Sequence, residues 1–347
     1  MGMNKKIKVL IVDDSLVFRE VIARGISTDP AIEVVAKAVD PFDARDKILE
    51  FEPDVMTCDV EMPKMNGIEF IRRLLPQYPL PVIVVSTIND AVFDAMNVGA
   101  VDFVTKPDVR SPGSVESFIG DMILKIKIAA HARITLPKEV SQSHAQADKG
   151  FSPHRLIAIG SSTGGTEAIY NIVRQLPRTI PGILVTQHIP PVFSRMFAER
   201  LNNQTPLTVK EAETGDWVEQ GKVLVAPGDR HMRIKKIGER YKVEVFAGDR
   251  VSGHCPSVDV LFESVAKEAG SNAVGIILTG MGYDGAKGLL AMKRKGARTI
   301  GQDEQSSVVY GMPRVAYDIG AVEKQISLSN IPRVLMEILS SPREQIK

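Results

Sequence analysis

Five short apolar runs, "IKVLIV", "EVVAKA", "DVMTC", "PVIVVS" and "AVDFVT", punctuate residues 7–130, separated by stretches whose apolar residues recur at helical spacing. This alternation predicts β-α units and a parallel, doubly wound sheet. Near-continuous Val and Ile in the first, third and fourth runs suits strands covered by helices on both faces. The pattern then stops: "HARITLPKEVSQSHAQADKG", residues 131–150, is polar and lacks a sustained period, which predicts an interdomain linker. Alternation resumes with "RLIAIG", "GILVTQ", "KVLVAPG", "AVGIILTG" and "ARTIGQD", with helical patterns at Glu167 to Leu176 and Pro191 to Leu201. Residues 151–347 are therefore expected to form a second doubly wound, mainly parallel α/β domain. Residues 230–247 alternate around Gly238 and predict a β-hairpin added to its sheet.

Composition adjusts this picture in three places. A length of 347 residues exceeds the usual span of one core, in keeping with domains at residues 1–130 and 151–347. The 43 Lys and Arg balance 42 Asp and Glu, which argues against a broad footprint for nucleic acid or anionic membrane. Only two cysteines occur, Cys58 and Cys255, one in each half, so neither a disulfide framework nor a thiolate metal site is expected. The opening "MGMNKKIKVLIVDD" is too short in its apolar part and wrongly flanked for a signal peptide or membrane span, and Lys6 stands where a myristoylation signal needs Ser or Thr. A cytoplasmic location follows as the expectation.

Asp13 and Asp14 follow the first strand run, Asp59 ends the third, Ser86 ends the fourth, and Lys106 follows the fifth. A doubly wound sheet gathers these ends at one edge, where such sheets bind ligands. Clustered carboxylates repel unless a hard cation neutralises them, and oxygen ligands suit Mg²⁺. With a hydroxyl and an ammonium beside them they make a site for a transferred phosphoryl group, Asp59 being the nucleophile. Any one of these acids alone reads equally as a helix cap.

"LIVDDS", "DVEMPKMNGIEF", "VVST" and "DFVTKP" resemble the signature of the response-regulator receiver domain. The resemblance implies a flavodoxin-like (βα)5 fold, Mg²⁺ held by Asp13, Asp14 and Asp59, phosphorylation at Asp59, a switch hydroxyl at Ser86, a phosphate contact from Lys106, and an aromatic switch at Phe103.

In the second half, "GSSTG" sets Gly160, Ser162 and Gly164 at the spacing of the strand-to-helix turn that exposes a nucleophilic serine, and so selects Ser162 over Ser161. Alone, the same glycine-rich turn fits a phosphate cradle equally well. A reactive serine needs a base, and "LVTQHIPP" places His188 at the end of the next strand run. His131 and His144 fall in the linker, His154 lies near the domain start, and His231 begins the hairpin, where a surface or packing role is expected. His254 precedes Cys255 in "SGHCPS", but that pair lacks a strand-end turn, and adjacent side chains rarely meet as nucleophile and base. "GIILTGMGYDGAKG" supplies Asp284 in a turn between strand and helix, a helix cap if read alone but a third triad member beside Ser162 and His188. The chain order Ser, His, Asp differs from the Ser, Asp, His order of α/β-hydrolases and argues against that topology.

"IGSSTGG", "VTQHIPP" and "LTGMGYDGA", extended by "VLVAPGDRHM" and "CPSVDVLFESVA", closely resemble the catalytic domain of the chemotaxis protein-glutamate methylesterase (CheB) family. The resemblance implies hydrolysis of glutamyl methyl esters on methyl-accepting chemotaxis receptors, deamidation of receptor glutamines, and oxyanion contacts from the backbone near Thr163 and Met281. It further implies a chemotaxis histidine kinase as phosphodonor, peripheral recruitment to membrane receptor arrays, and no cofactor for the ester chemistry. The alternative is a response regulator whose second half binds a nucleotide or a partner without catalysis.

Overall fold

A computed structural model of the chain describes residues 5–87, 91–107, 112–134, 151, 152 and 154–341. The chain divides into two compact units, Met1–Lys138 and Glu139–Lys347. Most of the expected linker, residues 135–150, lies outside the described residues.

The first unit runs β1 (Ile7–Val12), α1 (Leu16–Ile26), β2 (Ile32–Ala38), α2 (Pro41–Phe51), β3 (Val55–Asp59), α3 (Gly67–Leu74), β4 (Val82–Ser86), α4 (Ala91–Asn97), β5 (Asp102–Thr105) and α5 (Pro112–Ala129). All pairings are parallel, in the order β2-β1-β3-β4-β5. The apolar runs of β3 and β4 are buried along their whole length, as helices on both faces require. Helix starts are written locally: Ser15 accepts from the Phe18 amide before α1, Asp40 caps α2 with Pro41 behind it, and Asn66 accepts from Glu69 at α3. The chain leaves β1 toward β2 and leaves β3 toward β4. A crevice therefore opens at the carboxyl ends of β1 and β3.

The second unit runs β6 (Leu156–Ser161), α6 (Gly165–Val173), β7 (Gly182–Gln187), α7 (Phe193–Gln204), β8 (Thr208–Glu211), β9 (Lys222–Val225), β10 (His231–Ile237), β11 (Arg240–Phe246), α8 (Val258–Glu268), β12 (Ala273–Ile277), α9 (Ala286–Arg294), β13 (Arg298–Gln302), α10 (Met312–Asp318), β14 (Lys324–Ile326) and α11 (Ile331–Ser340). Its seven-stranded sheet is parallel throughout, ordered β14-β13-β12-β6-β7-β9-β8. The edge strands β8 ("TVKE") and β14 ("KQI") are short and largely polar, so no apolar run announces them.

The hairpin of β10 and β11 forms around Gly238, but it makes a separate two-stranded sheet instead of extending the parallel one. Both its edges are already taken. The Ile234 and Lys236 amides donate to Ser264 Oγ (3.1 Å) and Glu268 Oε2 (3.0 Å) on α8. On the other side Gly215 N and Val218 N donate to the carbonyls of Val243 and Tyr241. No open ladder remains for the main sheet. Helix α8 joins the layers: Leu261, Phe262 and Val265 share one buried cluster with Met232, Ile234 and Val243 of the hairpin and with Leu156, Ala158 and Ile277 of the sheet.

Candidate functional site

In the first unit, β1, β3, β4 and β5 bring their carboxyl ends together. The oxygens of Asp13, Asp14 and Asp59 lie within 4.8 Å of one another, with Asp13 and Asp59 buried and Asp14 exposed. Lys106 Nζ is 2.6 Å from Asp59 Oδ2 and 3.2 Å from Asp13 Oδ2. The approach to Asp13 falls outside hydrogen-bond geometry, so buried Asp13 Oδ2 has an ion pair but no hydrogen bond. Burial pushes the Asp59 carboxyl above the ordinary carboxylate range; the hydrogen bond and charge of Lys106 oppose that, and the charge of Asp13 adds to it. Burial also works against the Lys106 ammonium, but the two carboxylates outweigh it and raise its pKa. One ammonium cannot neutralise three clustered carboxylates, two of them buried, and a buried carboxylate oxygen without a hydrogen bond fits a hard divalent cation.

Ser86 is buried at the end of β4, and Phe103 is buried on β5 with Lys125 Nζ 4.9 Å from its ring centre. Gly67, which follows the Asn66 cap, is required here, because a Cβ on it would lie 2.1 Å from the Asp59 carbonyl oxygen.

In the second unit β6 lies between β7 and β12, so the loops after three adjacent strands carry Ser162, His188 and Asp284 to one sheet edge. Ser161, the last residue of β6, is fully buried, and its hydroxyl donates to Gln187 Oε1 at 2.6 Å. Ser162 is half-buried, and its amide donates to Thr279 O at 3.0 Å. Gln187 Nε2 donates to the carbonyls of Ser162 (2.8 Å) and His188 (3.1 Å), stapling the serine turn to the histidine turn. The turn needs its glycines. Gly164 sits at φ 76°, and a Cβ on Gly165 would lie 2.1 Å from Gln187 Oε1.

His188 Nε2 lies 2.8 Å from Asp284 Oδ2. Asp284 is 1% exposed and also accepts from Ser257 Oγ (2.8 Å), Val258 N (2.7 Å) and Asp259 N (3.0 Å). The carboxylate therefore does cap a helix, but that helix is α8 and not α9, whose N-terminal cap is Gly285. Burial raises the Asp284 pKa, yet the His188 hydrogen bond and charge and the amides of Asp259 and Val258 outweigh it and hold the carboxyl below its ordinary range. With Nε2 taken, Nδ1 is the nitrogen left for a proton. It is buried and has no hydrogen-bond partner, so the bond from Ser162 is not closed here. In the serine-protease template the two nitrogens have the opposite roles.

Gly280 brings the third loop against the nucleophile: a Cβ on it would lie 2.7 Å from Ser162 Cβ and 3.0 Å from Ser162 N. Met281, the next residue, is 47% exposed, and Tyr283 is 52% exposed, so two large apolar side chains stand on that loop in solvent. Thr163 is buried, and its carbonyl accepts from Thr279 Oγ1 at 3.0 Å.

Two histidines prove closer to this site than sequence reasoning placed them. His254 stacks on His188 with ring centres 3.6 Å apart and planes 9° from parallel. His231, expected at the surface or in packing, is 2% exposed and clamps the intervening loop, Nδ1 accepting from Ser257 N (3.2 Å) and Nε2 donating to Asp249 O (2.8 Å). Ser257 and Gln187 also hold the site; Ser257 is marked in the sequence only as the N-cap of α8, and no local pattern marks Gln187. Burial, then the charge of Asp229, pushes the Cys255 thiol up, the opposite of what a nucleophile needs.

Burial, then the His188 charge, pushes His254 down to about 4 from the ordinary 6.5. A depressed folded value means the unfolded chain binds the proton first. The stability this ring lends is present above about 6.5 and is lost as pH falls toward about 4. The thermal midpoint of the second unit should fall across that window, and a flat midpoint between pH 7 and 4.5 would contradict this.

An acidic pocket with an attendant lysine at one sheet edge, and a histidine–aspartate pair beside a serine turn at another, define a receiver-type unit followed by a hydrolase-type unit. The chain belongs to the CheB methylesterase family, whose family model matches residues 157–335, and the response regulator receiver domain model matches residues 9–111. It is 58% identical over 340 residues to a protein-glutamate methylesterase/protein-glutamine glutaminase of Syntrophomonas wolfei, covering 97% of this chain and 98% of that one. It is 45% identical over 341 residues to the protein of that name from Salmonella typhimurium, covering 97% and 98%. Among solved structures, the CheB methylesterase catalytic domain of Thermotoga maritima matches with a TM-score of 0.52 and 36% identity, over 55% of this chain and 99% of that one. Among the described residues no helix is long and apolar enough to cross a membrane.

Proposed function

We propose that the chain is a phosphorylation-controlled protein-glutamate methylesterase of chemotaxis, acting on methyl-accepting receptors through Ser162, His188 and Asp284. The observation that carries this reading is the His188–Asp284 pair at 2.8 Å, set on the loops flanking Ser162, while Ser161 is buried and engaged with Gln187. Ser162 Oγ attacks the glutamyl carbonyl and its proton passes to His188 Nδ1; that proton leaves with methanol, giving a glutamyl ester on Ser162. Water then gives a proton to the same nitrogen and its hydroxide to the acyl carbon; as the bond from the acyl carbon to Ser162 Oγ breaks, that proton passes from Nδ1 to Oγ, releasing glutamate and restoring the serine. Asp284 holds Nε2–H and stabilises the imidazolium at each stage. Backbone amides of Thr163 and Met281 face the developing oxyanion. A receptor glutamine follows the same route with ammonia leaving, the second activity in the names of the relatives.

Residues 1–130 form the receiver, 131–150 the linker and 151–347 the catalytic domain. Asp59 takes the phosphoryl group from a chemotaxis histidine kinase, with Ser86 and Lys106 contacting its oxygens and Phe103 following as the aromatic switch. Asp13, Asp14 and Asp59 would hold Mg²⁺, which would supply positive charge against the carboxylates and the incoming phosphoryl oxygens. The unphosphorylated receiver restrains the esterase, and phosphorylation lifts that restraint. The protein works in the cytoplasm, recruited peripherally to receptor arrays. Non-catalytic nucleotide binding is a weaker reading: a phosphate cradle has no need of a histidine held on a buried carboxylate at 2.8 Å beside the serine turn.

The control is tested on the full chain by methanol release from methyl-labelled receptor membranes with Mg²⁺ and a small-molecule phosphodonor. The donor should raise the rate, and Asp59→Asn should abolish that stimulation. Stimulation that survives Asp59→Asn overturns the assignment of Asp59.

A further inference from the structure

We infer that His254 is a positioning residue for His188, its imidazole stacked flat on the base so that Nε2 stays on Asp284 and Nδ1 stays open to the Ser162 proton. This rests on the Ser162–His188–Asp284 reading above. A single hydrogen bond through Nε2 fixes one edge of the His188 ring but leaves it free to tilt about that bond. A parallel ring 3.6 Å away removes the tilt.

The arm that carries His254 is a built substructure. Val251 and His254 exchange backbone hydrogen bonds of 3.0 Å in both directions. Ser252 and Gly253 between them sit at φ 52° and 86°, the two positive values of a tight I′ turn. Ser252 Oγ donates to Asp259 Oδ2 at 2.9 Å, and the Asp259 amide donates to Asp284 Oδ1 at 3.0 Å. His231 pins the same arm through Asp249 and Ser257. The ring that stacks on His188 and the carboxylate that binds it thus share the first turn of α8 as a common anchor.

The charged and titratable groups acting on His254 are His188, Asp284 and Arg250. Burial, then the His188 charge, keeps His254 neutral down to about pH 4. When His188 takes the serine proton, its stacked neighbour brings no second positive charge.

The test uses the full chain and methanol release from methyl-labelled receptor membranes. His254→Leu, which removes the flat ring, should lower kcat about 10- to 100-fold with KM unchanged, the scale of a misplaced catalytic group. His254→Phe, which restores a flat ring without nitrogens, should recover most of kcat and keep the acid limb of the pH profile where the unsubstituted chain has it. A fully active His254→Leu chain overturns the proposal, and so does a folded His254→Phe chain as slow as His254→Leu. Should the Leu variant not fold, His254→Gln takes its place with the same expected loss. His188→Ala in the same assay separates the two readings: activity surviving there overturns the triad itself, whereas an inactive His188→Ala beside a fully active His254→Leu overturns only the positioning role.

Discussion

Asp284→Asn is expected to lower kcat by on the order of 10⁴-fold, the scale seen when a triad aspartate becomes an amide. Asp284 accepts from His188 Nε2, Ser257 Oγ, Val258 N and Asp259 N with both oxygens. An asparagine offers one carbonyl oxygen and turns an NH₂ toward donors. If the oxygen takes the Oδ1 place beside Ser257 Oγ and Asp259 N, the Val258 amide loses its acceptor and His188 must present a lone pair at Nε2 and carry its proton on Nδ1, the wrong tautomer for a base toward Ser162. If it takes the Oδ2 place beside His188 and Val258 N, the buried Asp259 amide loses its acceptor at about 1–3 kcal/mol. Melting should therefore fall along with turnover, and a fall in melting alone would reduce Asp284 to a helix cap. The sign of the pH effect is fixed as well. Because the folded carboxyl lies below its ordinary value of 3.8, its contribution is complete above that value and is lost only as pH falls through the lower folded one. The deficit of Asp284→Asn relative to the unsubstituted chain should thus be constant through neutral pH and shrink only in strong acid.

The second large effect separates the paired serines. Ser162→Ala should remove on the order of 10⁶-fold in kcat, as loss of a serine nucleophile does elsewhere. Ser161→Ala should leave turnover largely intact and cost about 1 kcal/mol of stability, through the lost hydrogen bond to Gln187. Both variants are read by methanol release and thermal melting. Comparable activity in the two would remove Ser162 from the mechanism.

What the sequence made legible follows from one physical regularity. A parallel sheet sends every strand-to-helix loop to the same edge, so residues at strand ends can be grouped before any coordinates are known. Asp13, Asp14, Asp59, Ser86 and Lys106 gather in this way, as do Ser162, His188 and Asp284. Contacts made across tertiary structure leave no such trace. His254 meets His188 from a turn 66 residues further along, because that turn is anchored to α8 and α8 to Asp284. His231 reads as the start of a hairpin, and only burial shows it clamping the Asp249–Ser257 loop. The hairpin itself was visible in the alternation, but its separation from the main sheet was not, since its edges are filled by Ser264, Glu268 and the 215–218 segment. Which nitrogen of His188 faces Asp284 is likewise a matter of packing.

The second unit is expected to cleave a glutamyl methyl ester through Ser162 under control of the first. The most direct test of this is the unsubstituted full chain incubated with methyl-labelled receptor membranes, with released methanol counted against glutamate regenerated on the receptor. Equal amounts of the two are expected, with a faster rate in the presence of a phosphodonor and Mg²⁺ and neither product from Ser162→Ala. Absence of methanol from the folded chain, together with saturable nucleotide binding, would contradict that expectation.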